Sequence, residues 1–262
     1  MVAGCDDPTA SLEPPDDLRR AMAVLLVLDP AYTVQPLWIE TADVAGDPIG
    51  DLAIDGVRVT VVTDRRTVLR AEPDTSASSS TCTARYAGVS FNSRATCVAL
   101  EFRPTAGETY TITVDAPERP TATATTRVPG DFRVLEADAR GDPPGTDRLS
   151  MRWSPSDGAH GYFVAFRPDS VSCAGGRIFE SCFSEWYATT VRPEIETAVS
   201  DAAFERALKP WTLDVYALDR ALYEYLTSGT GGELFAVPPV SNVEGGYGVV
   251  GSWIRRSWPL DP

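Results

Sequence analysis

The sequence contains one lysine, Lys209, and one histidine, His160, and these scarcities exclude much chemistry. A Ser-His-Asp triad would have to use His160, and there is no Gly-x-Ser-x-Gly elbow to present a serine. Lys209 lies between Leu208 and Pro210, so there is no phosphate-binding Gly-x-x-x-x-Gly-Lys-Ser/Thr loop, and no dinucleotide fingerprint occurs. No EF-hand loop is present. No apolar run approaches the ~20 residues that a helical membrane span needs. The 23 basic residues are outnumbered by 37 acidic ones, giving a net charge of −14. Such a surface repels phosphate backbones and anionic headgroups, so nucleic acid is not an expected partner.

Asp and Glu are abundant enough to form carboxylate pairs by chance, so their number alone does not argue for a glycosidase. His160, in the turn Asp157-Gly158-Ala159-His160-Gly161, reads as an exposed turn residue. No cofactor, metal or catalytic residue is expected.

The five cysteines are more informative. Cys82, Cys97, Cys173 and Cys182 form two close pairs, each within a Ser/Thr/Gly-rich stretch. Neither pair has Cys-x-x-Cys spacing and His160 is not beside them, which disfavours zinc. They read as disulfides, Cys82–Cys97 and Cys173–Cys182; the plainer alternative is four unrelated thiols. Closing a loop of about 15 residues stabilises by roughly 3 kcal/mol in the chain-entropy model. Such bonds persist outside a reducing cytoplasm.

Cys5 follows Val2-Ala3-Gly4 and precedes Asp6-Asp7-Pro8. This resembles a bacterial lipobox, in which the cysteine carries the lipid. Only four residues precede Cys5, so the basic and apolar parts of a signal peptide are expected upstream of Met1. The alternative is a chance match among common residues. Acidic residues after the cysteine resemble the surface-export signals of Bacteroidota-type lipoproteins. Residues 6–20 are polar and Pro-rich, and read as a solvated tether.

Beyond the tether, apolar residues recur with a period of two between Gly/Pro/Asp turns. Met22–Leu28 is a continuous apolar run ending at Asp29-Pro30, and Leu37 and Ile39 sit opposite Trp38. Val57, Val59 and Val61 alternate with polar residues, as do Val98, Leu100 and Phe102, and Tyr110, Ile112 and Val114. Short strands are also expected at 68–71 and 84–89. Pro129-Gly130 ends this unit. In the second unit Leu149, Met151 and Trp153 alternate, a Ser-Pro-Ser-Asp-Gly turn follows, and Tyr162, Val164 and Phe166 form the next strand. Trp153 and Trp211 are expected in the core. Helical spacing occurs at Ser200–Leu208. It occurs again after Asp219, where Leu222, Tyr225 and Leu226 share a face and Gly229 stops the helix. A closing strand is expected over Tyr247–Ile254, with 255–262 as a tail. The fold class is therefore all-β: two tandem immunoglobulin-like or fibronectin type III-like sandwiches over 21–130 and 131–262, the second with one or two short helices, preceded by the tether at 1–20.

The Leu149–Arg167 hairpin and Trp211–Ala217 resemble a fibronectin type III domain, and Gly107–Val114 resembles a strand of transthyretin-like domains. The whole arrangement is similar to an uncharacterised outer-membrane lipoprotein family of Bacteroidota and Gemmatimonadota, of domain-of-unknown-function status. The matching pieces are Val2–Cys5, Leu28-Asp29-Pro30, Tyr110–Val114 with Thr125–Pro129, Asp219–Leu226 and Asn242–Val249. The resemblance implies a lipid-anchored protein of the outer membrane or cell surface, encoded beside TonB-dependent receptors. It implies a non-catalytic accessory or binding role in uptake, with such a receptor or another outer-membrane protein as partner. The alternatives are a structural or adhesive module that self-associates by strand pairing and, less favoured, a glycan-acting hydrolase. Tryptophan and arginine are enriched at binding hot spots. The candidate binding residues are therefore Trp253, Arg255, Arg256 and Trp258, and Cys5 is the candidate lipidation site.

Overall fold

The computed structural model describes residues 21–41, 53–64, 68–72, 96–140, 148–168, 187–198, 211–228 and 240–260. Cys5, Cys82, Cys173 and Cys182, the expected strand at 84–89, the expected helix at 200–208 and the side chains of Phe166 and Trp211 lie outside the described residues.

The chain is all-β with one short helix among the described residues. Among the described residues seven strands precede Pro129-Gly130: β1 (Met22–Leu28), β2 (Gln35–Thr41), β3 (Arg58–Thr63), β4 (Val68–Ala71), β5 (Thr96–Leu100), β6 (Thr109–Asp115) and β7 (Ala122–Arg127). Seven follow it: β8 (Val134–Arg140), β9 (Arg148–Trp153), β10 (Gly161–Pro168), β11 (Tyr187–Thr190), β12 (Glu194–Ala198), β13 (Trp211–Leu218) and β14 (Gly246–Leu260). Helix α1 (Arg220–Ser228) lies between β13 and β14.

The two sets of strands share one topology. In the first, β1-β2-β5 form one layer and β4-β3-β6-β7 the other. In the second, β8-β9-β12 form one layer and β11-β10-β13-β14 the other. Numbered from each start, both are a 1-2-5 sheet facing a 4-3-6-7 sheet, so the molecule is an internal repeat of one sandwich. The repeats are also fused. β14 pairs in parallel with β1, joining the first repeat's three-stranded layer to the second repeat's four-stranded layer in one seven-stranded sheet, β11-β10-β13-β14-β1-β2-β5.

Alternation builds the interior. Met22, Val24, Leu26 and Leu28 of β1 point inward and are at most 2% exposed, while Ala23, Leu25 and Val27 face the other side half-buried. Across the layers lie Val59, Val61, Ile112 and Val114; in the second repeat Leu149, Met151 and Trp153 face Tyr162, Val164, Leu213 and Val215. All belong to one continuous apolar cluster. At the start of β6, the Tyr110 hydroxyl donates to Glu108 Oε2 at 2.8 Å and accepts from the Thr105 amide at 2.8 Å. This is the tyrosine corner of immunoglobulin-like sandwiches. Burial raises the Tyr110 pKa, so the phenol stays a donor.

β14 departs most from the sequence expectation: its strand runs to Leu260, where a tail was expected after Ile254. Residues 253–260 pair antiparallel with β13 while 246–252 pair with β1. β12, with sequence Glu-Ile-Glu-Thr-Ala, was not expected at all.

A candidate site at the junction of the repeats

The junction is built where β13 ends and β14 still needs a partner. Beyond Leu218 the chain leaves the sheet and enters α1. Asp219 is the cap of that helix: its Oδ1 accepts from the Leu222 amide at 2.9 Å. The same oxygen accepts from the Ser252 amide at 3.3 Å, and the Asp219 amide donates to the Ser252 carbonyl at 3.0 Å. Asn242 does the same for Val250, donating to its carbonyl at 2.8 Å and accepting from its amide at 3.0 Å. Two residues, Asp219 and Asn242, thus replace the strand that β14 has lost.

Asp219 also reaches the first repeat. Thr126 Oγ1 of β7 lies 2.6 Å from Asp219 Oδ2 and 2.8 Å from Ser252 Oγ, and Ser252 Oγ donates to the Arg127 carbonyl at 3.0 Å. This buried chain crosses from one repeat to the other. Burial is the first cause of a raised Asp219 pKa; the hydrogen bonds from Thr126, Leu222 and Ser252 pull the other way and do not cancel it. Beside it is a cavity of about 340 Å³ lined in part by Thr126, Arg127, Asp219, Arg220, Glu224 and Asn242. Arg127 is committed to Asp157 at 2.7 Å and Arg220 to Glu224 at 2.7 Å. A titratable group with a shifted pKa in a cleft marks a site candidate. The partners of Asp219, namely Thr126, Leu222 and Ser252, nevertheless all belong to the junction.

The four residues expected to form a C-terminal binding patch are not brought together, because β14 is a strand throughout and consecutive side chains alternate. Trp253 faces outward and is 7% exposed, packed under α1 with Phe163, Tyr216, Leu218 and Leu222. Its ring centroid lies 5.0 Å from that of Tyr216. Arg255 is on the same face beside Tyr216 and the fully buried Asp214, whose Oδ1 also accepts from Ser257 Oγ at 2.6 Å. Burial lowers the Arg255 pKa, but Tyr216 and Asp214 outweigh it and the net shift is upward. Trp258 is half-buried on the opposite face against the main core.

Arg256 turns to the linker between the repeats, where it donates to the Phe132 carbonyl at 3.3 Å and pairs with Asp131. Trp253 is therefore a packing residue, which corrects its choice as a candidate binding residue. Arg256→Ala is expected to lower stability by about 1 kcal/mol or less, because the ion pair is solvent-exposed. Urea unfolding measures this, and a loss of several kcal/mol would contradict the assignment.

On α1 the face packed on the sheet is Leu222, Tyr223 and Leu226; Tyr223 takes the place expected for Tyr225. His160 is exposed, its ring edge-on to Tyr223 at 5.4 Å. Sequence reasoning identified Asp219 as a cap but missed its reach to Thr126, 93 positions away. Among the described residues no group of three His, Cys, Asp or Glu is arranged to hold a metal ion. No described helix is long and apolar enough to cross a membrane.

A family model, "Domain of unknown function (DUF4249)", matches residues 38–257. The chain belongs to this family. The match spans both repeats and the junction. No curated protein matches this DUF4249 chain. Similar solved structures include "Cytokine receptor complex - Crystal form 1A", with 9% identity, 90% of this chain and 94% of that chain covered, and a TM-score of 0.27. Another is "Crystal structure of chicken CNTN1 FN1-FN3 domains", with 13% identity, 90% of this chain and 66% of that chain covered, and a TM-score of 0.22. At these identities and scores they carry no functional inference.

Proposed function

We propose that this DUF4249 protein is a non-catalytic cell-envelope lipoprotein, anchored through Cys5, that serves as an accessory or binding partner of a TonB-dependent outer-membrane uptake system. The supporting observation is where the tether enters the fold. The stretch after Cys5 leads into β1, which lies inside the seven-stranded sheet between β14 and β2. An anchor attached there holds both repeats at once, because β1 belongs to one repeat and β14 to the other. The acidic charge agrees with an envelope protein that avoids anionic lipid except through its anchor. The pairings Cys82–Cys97 and Cys173–Cys182 belong to the same reading, since such bonds persist in an oxidising compartment.

The test uses the gene product with its natural leader. Cys5→Ser is expected to move the protein from the membrane fraction to the soluble one, and a pull-down of the unaltered lipoprotein is expected to recover a β-barrel receptor. Retention of the Cys5→Ser protein in the membrane, or recovery of no β-barrel protein, would overturn this reading.

Self-association is the second reading. It draws on a groove of about 690 Å³ lined by residues of β9, β11 and β12, including Arg152, Thr189 and Glu194, and by Arg192 between β11 and β12. β11 and β12 end their sheets among the described strands, and sheet edges accept added strands. Size-exclusion chromatography showing a monomer at all concentrations would remove it.

A further inference from the structure

We infer that β1 and β14 form a shear clamp, through which the chain resists tension applied between its two ends. They are the first and last strands described, and they are adjacent and parallel, in register from Met22↔Gly246 to Leu28↔Ser252. Direction is decisive. In parallel neighbours the N-terminal end of one strand and the C-terminal end of the other lie at opposite ends of the pair. Pulling on those ends slides the strands past each other, so all seven paired positions resist together. Had the strands been antiparallel, the same pull would act at one end and open the ladder one bond at a time.

Neither strand can rotate away from this geometry. β1 is held on its other side by β2, with Met22↔Thr41 to Leu26↔Leu37, and β14 is held beyond the seam by β13, with Leu218↔Trp253 to Trp211↔Leu260. The inward side chains Met22, Val24, Leu26 and Leu28 are locked in the core and add packing to the resistance.

The Gly-Gly-Tyr-Gly stretch fits this role. A Cβ at Gly246 would lie 2.6 Å from the Met22 carbonyl oxygen, and one at Gly248 would lie 2.1 Å from that of Val24. Gly248 also has φ +102°, a region that L side chains rarely adopt. These glycines let the two backbones approach, so the seam is written into the sequence at 246 and 248. In the cell the tension would enter through the Cys5 tether, which rests on the reading above. The clamp is a property of the fold and is tested without a lipid.

Single-molecule pulling on the purified chain tests it. One handle stays at the N-terminal end; the second is placed either at the C-terminal end or at the exposed Glu244, beside the start of β14. The first geometry shears the seam and the second peels it. The shear geometry is expected to need several times the force. Equal forces in the two geometries would overturn the clamp. Gly248→Ala is expected to shorten the lifetime at fixed shear force about fivefold for each ladder bond lost. Met151→Ala, in the opposite layer of the second repeat, is expected to lower thermal stability without that effect. An unchanged lifetime in Gly248→Ala, or an equal shortening in Met151→Ala, counts against it. If Gly248→Ala does not fold, the comparison of directions on the unaltered chain decides alone. Failure of the Cys5 experiment leaves this result untouched, and the reverse holds.

Discussion

Trp153→Ala is expected to cost about 3–5 kcal/mol of folding stability. Trp153 is 1% exposed and projects from β9 toward β10, where its ring meets Tyr162 edge-on at 5.1 Å. Tyr162 in turn meets Phe132 of the linker at 6.1 Å, and its hydroxyl accepts from the Ser156 amide at 3.0 Å. Removing the indole therefore opens a cavity between two layers and loosens the ring that fixes both the linker and the 154–160 turn. The thermal midpoint should fall by about 6–20 °C, at ~2–4 °C per kcal/mol for a chain of this size. Trp153→Phe should cost well under half as much. The indole Nε1 has no hydrogen-bond partner among the described residues, so phenylalanine loses ring area but also removes a buried unpaired donor. Urea denaturation of the two variants measures both. An alanine variant within about 1 kcal/mol of the parent would show that this site collapses far more freely than a rigid core does.

The same residue shows what sequence alone conveys. Leu149, Met151 and Trp153 alternate with polar neighbours, and that local pattern sufficed to place a half-buried strand and a core tryptophan. β3 and β6 were legible for the same reason, and β1 as a continuous apolar run. β12 was not, because Glu194 and Glu196 flank one inward residue, Ile195, and two charges in five residues hide the period. The end of β14 was missed at Arg255-Arg256, read as a break. Both arginines keep the alternation, with one beside Asp214 on the outer face and the other reaching the linker.

The binding patch failed on the same point. Enrichment of Trp and Arg says nothing about which face of a strand each residue takes, and the four residues divide between two faces. The fusion of the repeats was illegible for a different reason. β1 and β14 are more than 200 positions apart, and no local period encodes a parallel partner at that distance. Its trace in the sequence is the glycines at 246 and 248, whose purpose shows only against the backbone of Met22 and Val24.

Asp219 carries the second large prediction, because one of its two obvious substitutions should be costly and the other close to neutral. Asp219→Ala removes the cap of α1 and strands the Leu222 and Ser252 amides in a buried place. The combined cost is about 2–4 kcal/mol. Asp219→Asn should be close to neutral at pH 7. The amide nitrogen of asparagine, in place of Oδ2, can donate to Thr126, which frees Thr126 to donate to Ser252, which already donates to the Arg127 carbonyl, while the amide oxygen still accepts from Leu222 and Ser252.

The sign of the pH dependence follows from the raised pKa. The folded protein holds this proton to higher pH than the unfolded chain, whose carboxyl titrates near pH ~4. The stabilisation from Asp219 is therefore complete below that pH and is lost as pH rises through the higher folded value. Asparagine does not titrate, so the stability of Asp219→Asn relative to the parent should increase with pH across that window and level off above it. Subtracting the two unfolding curves isolates this group from the other acids. A difference that is flat with pH, or that favours aspartate more as pH rises, would mean that the carboxylate is better solvated at the junction than its burial implies.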